Sequence, residues 1–230
     1  MQIFKNKFVP TPPYKQGFTL AEVLITLVII GVIAALTVPS LINKTNNQEM
    51  VARLKKTYST LAQATNLIIA EEGTPRADKG GWATTRSNIY NLYLKHLNNA
   101  RECKTDAGCW ASGNVYTTLS GAPYTDINTY GTYGKFVLSD GVAVSVYDSV
   151  YEACNYNWDN GHDDCALIMV DLNGAKKPNR IGRDVFEFVI KENGLKPLGC
   201  NGGATWAICS KDYGGEGCAC KVLREGAMNY

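Results

Sequence analysis

Three groups of residues have types and spacing that suit chemistry. Glu22 is the single charge inside the apolar run FTLAEVLITLVIIGVIAALTVPSLI, residues 18–42. A carboxylate in hydrocarbon is costly, so such a group is usually paired and functional. The plainer alternative is a side chain near the helix start that snorkels to the interface. Eight cysteines follow at Cys103, Cys109, Cys154, Cys165, Cys200, Cys209, Cys218 and Cys220. They lack the C-x-x-C pairs of a zinc knuckle, and His96 and His162 are the only histidines, so disulfides in an oxidising compartment are expected. Asp171, Asn173 and Asp184 bracket a glycine-containing loop. Oxygen ligands at short spacing suit calcium, although few carboxylates lie close enough to complete a six-ligand shell. A polar Asn-Gly turn is the alternative.

Other constellations say less. His96 reads as a surface residue of a helix, and His162 lies in the turn Asn160-Gly161-His162-Asp163-Asp164. No G-x-S-x-G, H-E-x-x-H or P-loop pattern occurs, so no enzyme chemistry is expected. Trp110, Tyr116, Tyr124, Tyr130, Tyr133 and Trp158 suit an adhesive or sugar-binding surface, but such residues more often cover loops or a sheet.

The elements that position these groups follow from periodicity. The 230 residues allow one ordinary domain plus one long extra element. Apolar content of 45% and charged content of 19% exclude a wholly disordered chain. A net charge of +2 gives no reason to expect a nucleic-acid partner. Lys5, Lys7 and Lys15 fall in residues 1–17, which hold no acid, so the remainder carries 20 basic against 21 acidic groups, or −1. The apolar run meets the roughly 20 residues that a membrane helix needs. Three lysines precede it and Lys44 alone follows closely, which places residues 1–17 in the cytoplasm and the cysteines outside. Val51, Leu54, Tyr58, Leu61 and Ile68, with Thr65 in register, continue the helix as an amphipathic stripe to Glu72, where Gly73-Thr74-Pro75 stops it. Residues 18–72 then make one helix of about 80 Å, with Pro39 as a kink or loosening point.

Beyond Gly80-Gly81 the pattern shortens. Residues 86–101 read as a second helix and residues 108–133 as loop. Lys135–Leu138 and Val142–Tyr147 flank the hairpin signal Ser139-Asp140-Gly141. Ala166–Asp171 and Val185–Ile190 read as further strands, and residues 195–230 as irregular. The expected class is α+β: a long N-terminal helix, part transmembrane and part amphipathic, packed on a small antiparallel sheet of about four strands with disulfide-rich loops. Cys103 with Cys109 and Cys154 with Cys165 close short loops, and Cys218 and Cys220 reach Cys200 and Cys209 in an order left open. A bridge closing a loop of about 15 residues contributes roughly 3 kcal/mol in the chain-entropy model.

Gln16-Gly17-Phe18-Thr19-Leu20-Ala21-Glu22, the apolar run and Pro39 together resemble the processing region of type IV prepilins and type II secretion pseudopilins. The resemblance is specific over residues 16–45 and looser to Glu72. MVDLNGAKKPNRIGRDVFEFVI, residues 169–190, is similar to a stretch common in pilin-like heads. It implies a 1–17 leader, an 18–42 membrane and filament-core helix, a 43–72 continuation and a 73–230 extracytoplasmic head. It implies cleavage by prepilin peptidase between Gly17 and Phe18, N-methylation of Phe18, and pairing of Glu22 with the Phe18 amine of a neighbouring subunit. Pro39 falls at the family's proline position. The implied partners are the peptidase, further pilin or pseudopilin copies and an inner-membrane assembly platform. The implied location is the bacterial inner membrane as a single-pass precursor, then the filament. Calcium, which some heads of this kind bind, is the only cofactor implied.

A type II secretion pseudopilin, a type IV pilus pilin and a DNA-uptake pilus component all fit, and the large cysteine-rich head favours a specialised subunit. The competing class is a membrane-anchored or secreted extracellular binding domain behind an ordinary signal-anchor. The apolar run is longer than the 7–15 residues of a typical cleaved signal.

Overall fold

The computed structural model describes residues 17–129, 134–147, 154–159, 161, 163–202 and 208–230. The chain divides between Thr45 and Asn46 into two units. The long helix α1, Leu20–Glu72, contributes to both. The second unit therefore starts inside the helix.

The described part of the first unit is apolar helix. Its large side chains are all exposed: Leu20, Leu24, Val28, Ile30 and Leu36 are each at least 55% accessible. A helix that is hydrophobic all round has no soluble solution, because each exposed apolar side chain forgoes burial. Pro39 lies within the helix.

The second unit has a core. Val51, Leu54, Leu61, Ala64 and Ile68 of α1 are buried, with Thr57 and Thr65 filling the same stripe. Tyr58 stacks on Phe188 with ring centroids 5.5 Å apart. Gly73, at φ +83°, ends the helix. Its glycine identity matters there, because L side chains rarely adopt that conformation. After a short 3-10 turn, Ala77–Lys79, comes α2, Arg86–His96, whose Thr85 side chain accepts from the Asn88 N–H at 3.1 Å.

Six strands follow: β1 Asn99–Lys104, β2 Gly134–Leu138, β3 Ala143–Val146, β4 Asp164–Asp171, β5 Val185–Lys191 and β6 Gly194–Pro197. They form one antiparallel sheet in sequential order. A final helix, α3, spans Cys218–Glu225. The α+β class with a long N-terminal helix is thus present, with three corrections. Residues 99–101 belong to β1 and not to the second helix, because Asn99 pairs with Leu138 and Arg101 with Val137. The sheet has six strands instead of about four, the additions being the edges β1 and β6, whose sequences carry little alternation. Residues 195–230 are not wholly irregular, since they contain the end of β6 and α3.

Strand alternation makes two dissimilar faces. Phe136, Val144, Ile168, Phe186 and Phe188 face the layer of α1, α2 and α3. Leu167, Met169, Val185 and Val189 face a second core with Trp110, Tyr116, Ile127 and Trp158. The segment read as loop, residues 108–129, therefore serves as the outer layer of the sheet.

Candidate functional site

At the start of α1 the described chain begins with Gly17 and Phe18. Both are exposed, Phe18 at 89%, and nothing lies within 4 Å of where a Gly17 Cβ would sit. The Gly17–Phe18 bond is sterically open to a protein that must approach its backbone. Residues 1–16 of the expected leader lie outside the described residues.

Thr19 and Glu22 form a reciprocal pair. The Thr19 N–H and Oγ1 each donate to Glu22 Oε2 at 2.8 Å, and the Glu22 N–H donates to Thr19 Oγ1 at 3.3 Å. This is a capping box, in which two otherwise orphaned helix N–H groups gain side-chain acceptors. It orients the Glu22 carboxylate toward the helix N-terminus, next to the bond expected to be cut. Sequence reasoning assigned Glu22 but passed over Thr19. The T-x-x-E spacing ahead of an apolar run was the available signal. Pro39 lies 17 residues beyond Glu22, within the same helix.

The eight cysteines form four disulfides: Cys103–Cys109, Cys154–Cys165, Cys200–Cys220 and Cys209–Cys218. The last two tie Cys200 and Cys209 to α3. Gly199 makes that junction possible: at φ +93° its Cβ position falls 2.2 Å from the Gly217 carbonyl oxygen, just before α3 begins.

Asp171 and Asp184 are both fully buried and lie close together. Asp171 accepts from the Asn173 N–H at 3.2 Å and the Tyr116 hydroxyl at 3.2 Å. Asp184 accepts from the Asn179 N–H at 2.8 Å and the Arg180 N–H at 2.7 Å. Burial pushes both carboxyls up, and the Asp184 charge pushes Asp171 further. All four oxygens are committed to protein donors. Calcium asks for six to eight oxygens, and among the described residues no group of three His, Cys, Asp or Glu assembles to hold a metal.

The remaining candidates are dispersed. The His96 side chain is largely buried and lies 3.4 Å from Glu71, not on the open surface. Trp110, Tyr116 and Trp158 are buried under the outer loops. His162, Tyr130 and Tyr133 lie outside the described residues. Sequence reasoning also missed Glu187, which is 2% exposed and accepts from the Tyr124 hydroxyl at 3.3 Å. Burial, with the nearby Glu216 charge, raises its pKa to about 8. It missed Lys191 too, whose ammonium contacts Asp163 and lies 2.9 Å from Asp164. Their sequence contexts, one strand pattern interrupted by single charges, gave no sign of burial.

An exposed Gly-Phe bond, a capped carboxylate and an uncovered apolar run fit a membrane-anchored precursor. Residues 13–38 match the prokaryotic N-terminal methylation motif, the signature of type IV pilins and pseudopilins. No curated protein and no solved structure matches the chain. The motif over these residues supports a pilin-like or pseudopilin precursor. Among the described residues, α1 alone is long and apolar enough to cross a membrane.

Proposed function

We propose that the chain is a structural subunit of a type IV pilus or type II secretion pseudopilus. Prepilin peptidase cuts after Gly17, the new Phe18 amine is methylated, and the mature subunit enters a helical filament through residues 18–42. The observation that carries this reading is the methylation motif over residues 13–38, set on a helix whose apolar side chains are uncovered on every side. An uncovered apolar cylinder serves two states: lipid surrounds it in the free subunit, and other copies of the helix replace lipid in the filament. Glu22 gives the exchange a register. Its carboxylate, oriented by Thr19, pairs with the Phe18 amine of the adjacent subunit once cleavage has created that amine. The proposed orientation keeps residues 1–17 cytoplasmic and the disulfide-bonded unit outside, where its thiols oxidise.

Intact mass with N-terminal peptide mapping of protein from its native membrane tests the processing. The expected mature chain begins at N-methylated Phe18. A mature terminus at Met1, or beyond Leu36, would overturn the pilin reading in favour of an anchored or secreted binding domain. For the register, Glu22→Ala is expected to insert and be processed normally, yet to enter filaments at least 10-fold less than the parent chain. Undiminished incorporation would remove the pairing role while leaving the processing intact.

A further inference from the structure

A concavity on the second unit carries more positive charge than its surroundings neutralise. It has a volume of about 440 Å³ and lies where four elements converge: α1 through Arg53, β1 through Arg101, the β2–β3 turn through Asp140, and the β4–β5 loop through Asn173, Gly174 and Lys176. The cavity holds three cationic side chains and one acidic one. That acid is already used, since Asp140 lies 2.7 Å from the Lys56 ammonium and also accepts from the Val142 N–H. Arg53 is likewise engaged, with Nε on Glu49 at 2.9 Å and Nη1 on the Leu172 carbonyl at 3.3 Å. Arg101 and Lys176 are both exposed and form no ion pair among the described residues. Two charges thus remain unopposed in a chain whose residues 18–230 sum to −1.

The strand geometry explains how Arg101 comes to line the cavity. The β1–β2 register shifts on both sides of Arg101-Glu102, between Asn99 and Arg101 and again between Glu102 and Lys104. Such bulges re-aim side chains at a sheet edge. The neighbouring concavity at residues 101–108, which Arg101 also borders, is lined by Glu102 and Asp106 alongside Lys104.

We propose that this cavity binds a small phosphate ester. Two unpaired cations match the charge of a phosphate monoester near neutral pH, which is about −1.5 to −2. A carboxylate would satisfy only one of them. The guanidinium of Arg101 presents a planar fork to two phosphate oxygens, and Lys176 supplies a point charge. The volume exceeds that of inorganic phosphate and leaves room for a short polar alcohol, and it falls in the range of small-ligand pockets.

The test uses the full chain in detergent micelles, titrated with inorganic phosphate and with glycerol phosphate at constant ionic strength, the latter set by sodium chloride. The expected result is saturable binding, tighter for the ester, and weakened at least 10-fold in the double variant Arg101→Ala, Lys176→Ala. Both side chains are exposed and form no ion pair among the described residues, so the thermal midpoint of the variant should equal that of the parent. Non-saturating titration, or saturable binding unchanged in the double variant, would overturn the proposal. Vesicles containing phosphatidic acid, whose headgroup is a phosphate monoester, compared with phosphatidylcholine alone, distinguish the source of the phosphate. Charge-dependent capture lost in the double variant assigns it to a lipid headgroup. Binding confined to the free ester assigns it to a soluble one.

Discussion

The sheet has two buried faces that hold together differently. Toward α1 the cross-strand row runs Gly134, Val146, Ile168, Phe188 and Pro197, with no polar side chain. One residue along, on the other face, the row is Lys135, Ser145, Met169 and Glu187. Both rows are buried except at the edge, where Pro197 is half-buried. The helix face is covered by regular elements that satisfy their own backbones, so hydrophobic packing suffices. The loop face is covered by irregular segments, and these need side-chain partners. The Asn128 carbonyl accepts from the Lys135 ammonium, Asp159 accepts from the Gly199 and Asn201 N–H groups, and Asp184 accepts from Asn179 and Arg180. Buried polar groups are tolerated where loops supply donors and acceptors. Disulfides add restraint at the chain ends of these loops.

Four measurements would break or sharpen this contrast. The largest effect is expected on the helix face. Phe188→Ala removes a fully buried ring stacked on Tyr58 and should lower stability by about 3–5 kcal/mol in chemical denaturation. A loss under about 1 kcal/mol would show that α1 does not pack as described. Next, replacing Cys200 and Cys220 together with serine should cost about 2–4 kcal/mol. Hydrogen exchange should then accelerate in residues 198–220 while β4 and β5 keep their protection. Uniform acceleration throughout the sheet would mean that the two faces share one cooperative unit.

The third effect concerns pH. Glu187 has its folded pKa raised from 4.5 to about 8. The folded state therefore binds more protons than the unfolded state between those values. Stability should fall as pH rises from about 4.5 toward 8 and level off above it. Glu187→Gln keeps an acceptor for Tyr124 and should flatten that slope, becoming more stable than the parent at pH 8. An unchanged slope would place the titration elsewhere. The smallest effect is expected at Asp171 and Asp184. Millimolar calcium, against a chelator control, should move the thermal midpoint by less than about 1 °C, because a bound ion would stabilise the fold through mass action. A larger calcium-dependent rise would show that the ion displaces the Asn179 and Arg180 donors.

Legibility followed the same division. The stripe Val51, Leu54, Leu61 and Ile68 was readable because one helix face meets one continuous apolar surface. Strands β2 to β5 were readable because apolar side chains recur along them, and the turn at Ser139-Asp140-Gly141 announced the hairpin. Strand β1 was not, since Asn99-Ala100-Arg101-Glu102 has no strand pattern and gains its conformation by pairing with β2. The burial of Glu187 and Lys191 was hidden as well, because a charge within a strand reads as solvent-facing until something covers that face.

At the N-terminus the reading of Gly17, Phe18, Glu22 and the apolar run rests on side-chain type and spacing along one helix, and each of these is a property of the sequence order. Even the Thr19–Glu22 capping box is a contact three residues long. The second unit was decided by contacts between distant segments. Which of Cys200 and Cys209 meets Cys220, what covers the outer face of the sheet, and where Arg101 and Lys176 leave charge unopposed all depend on which loops converge. Loop convergence is set by three-dimensional packing, which spacing along the chain does not encode.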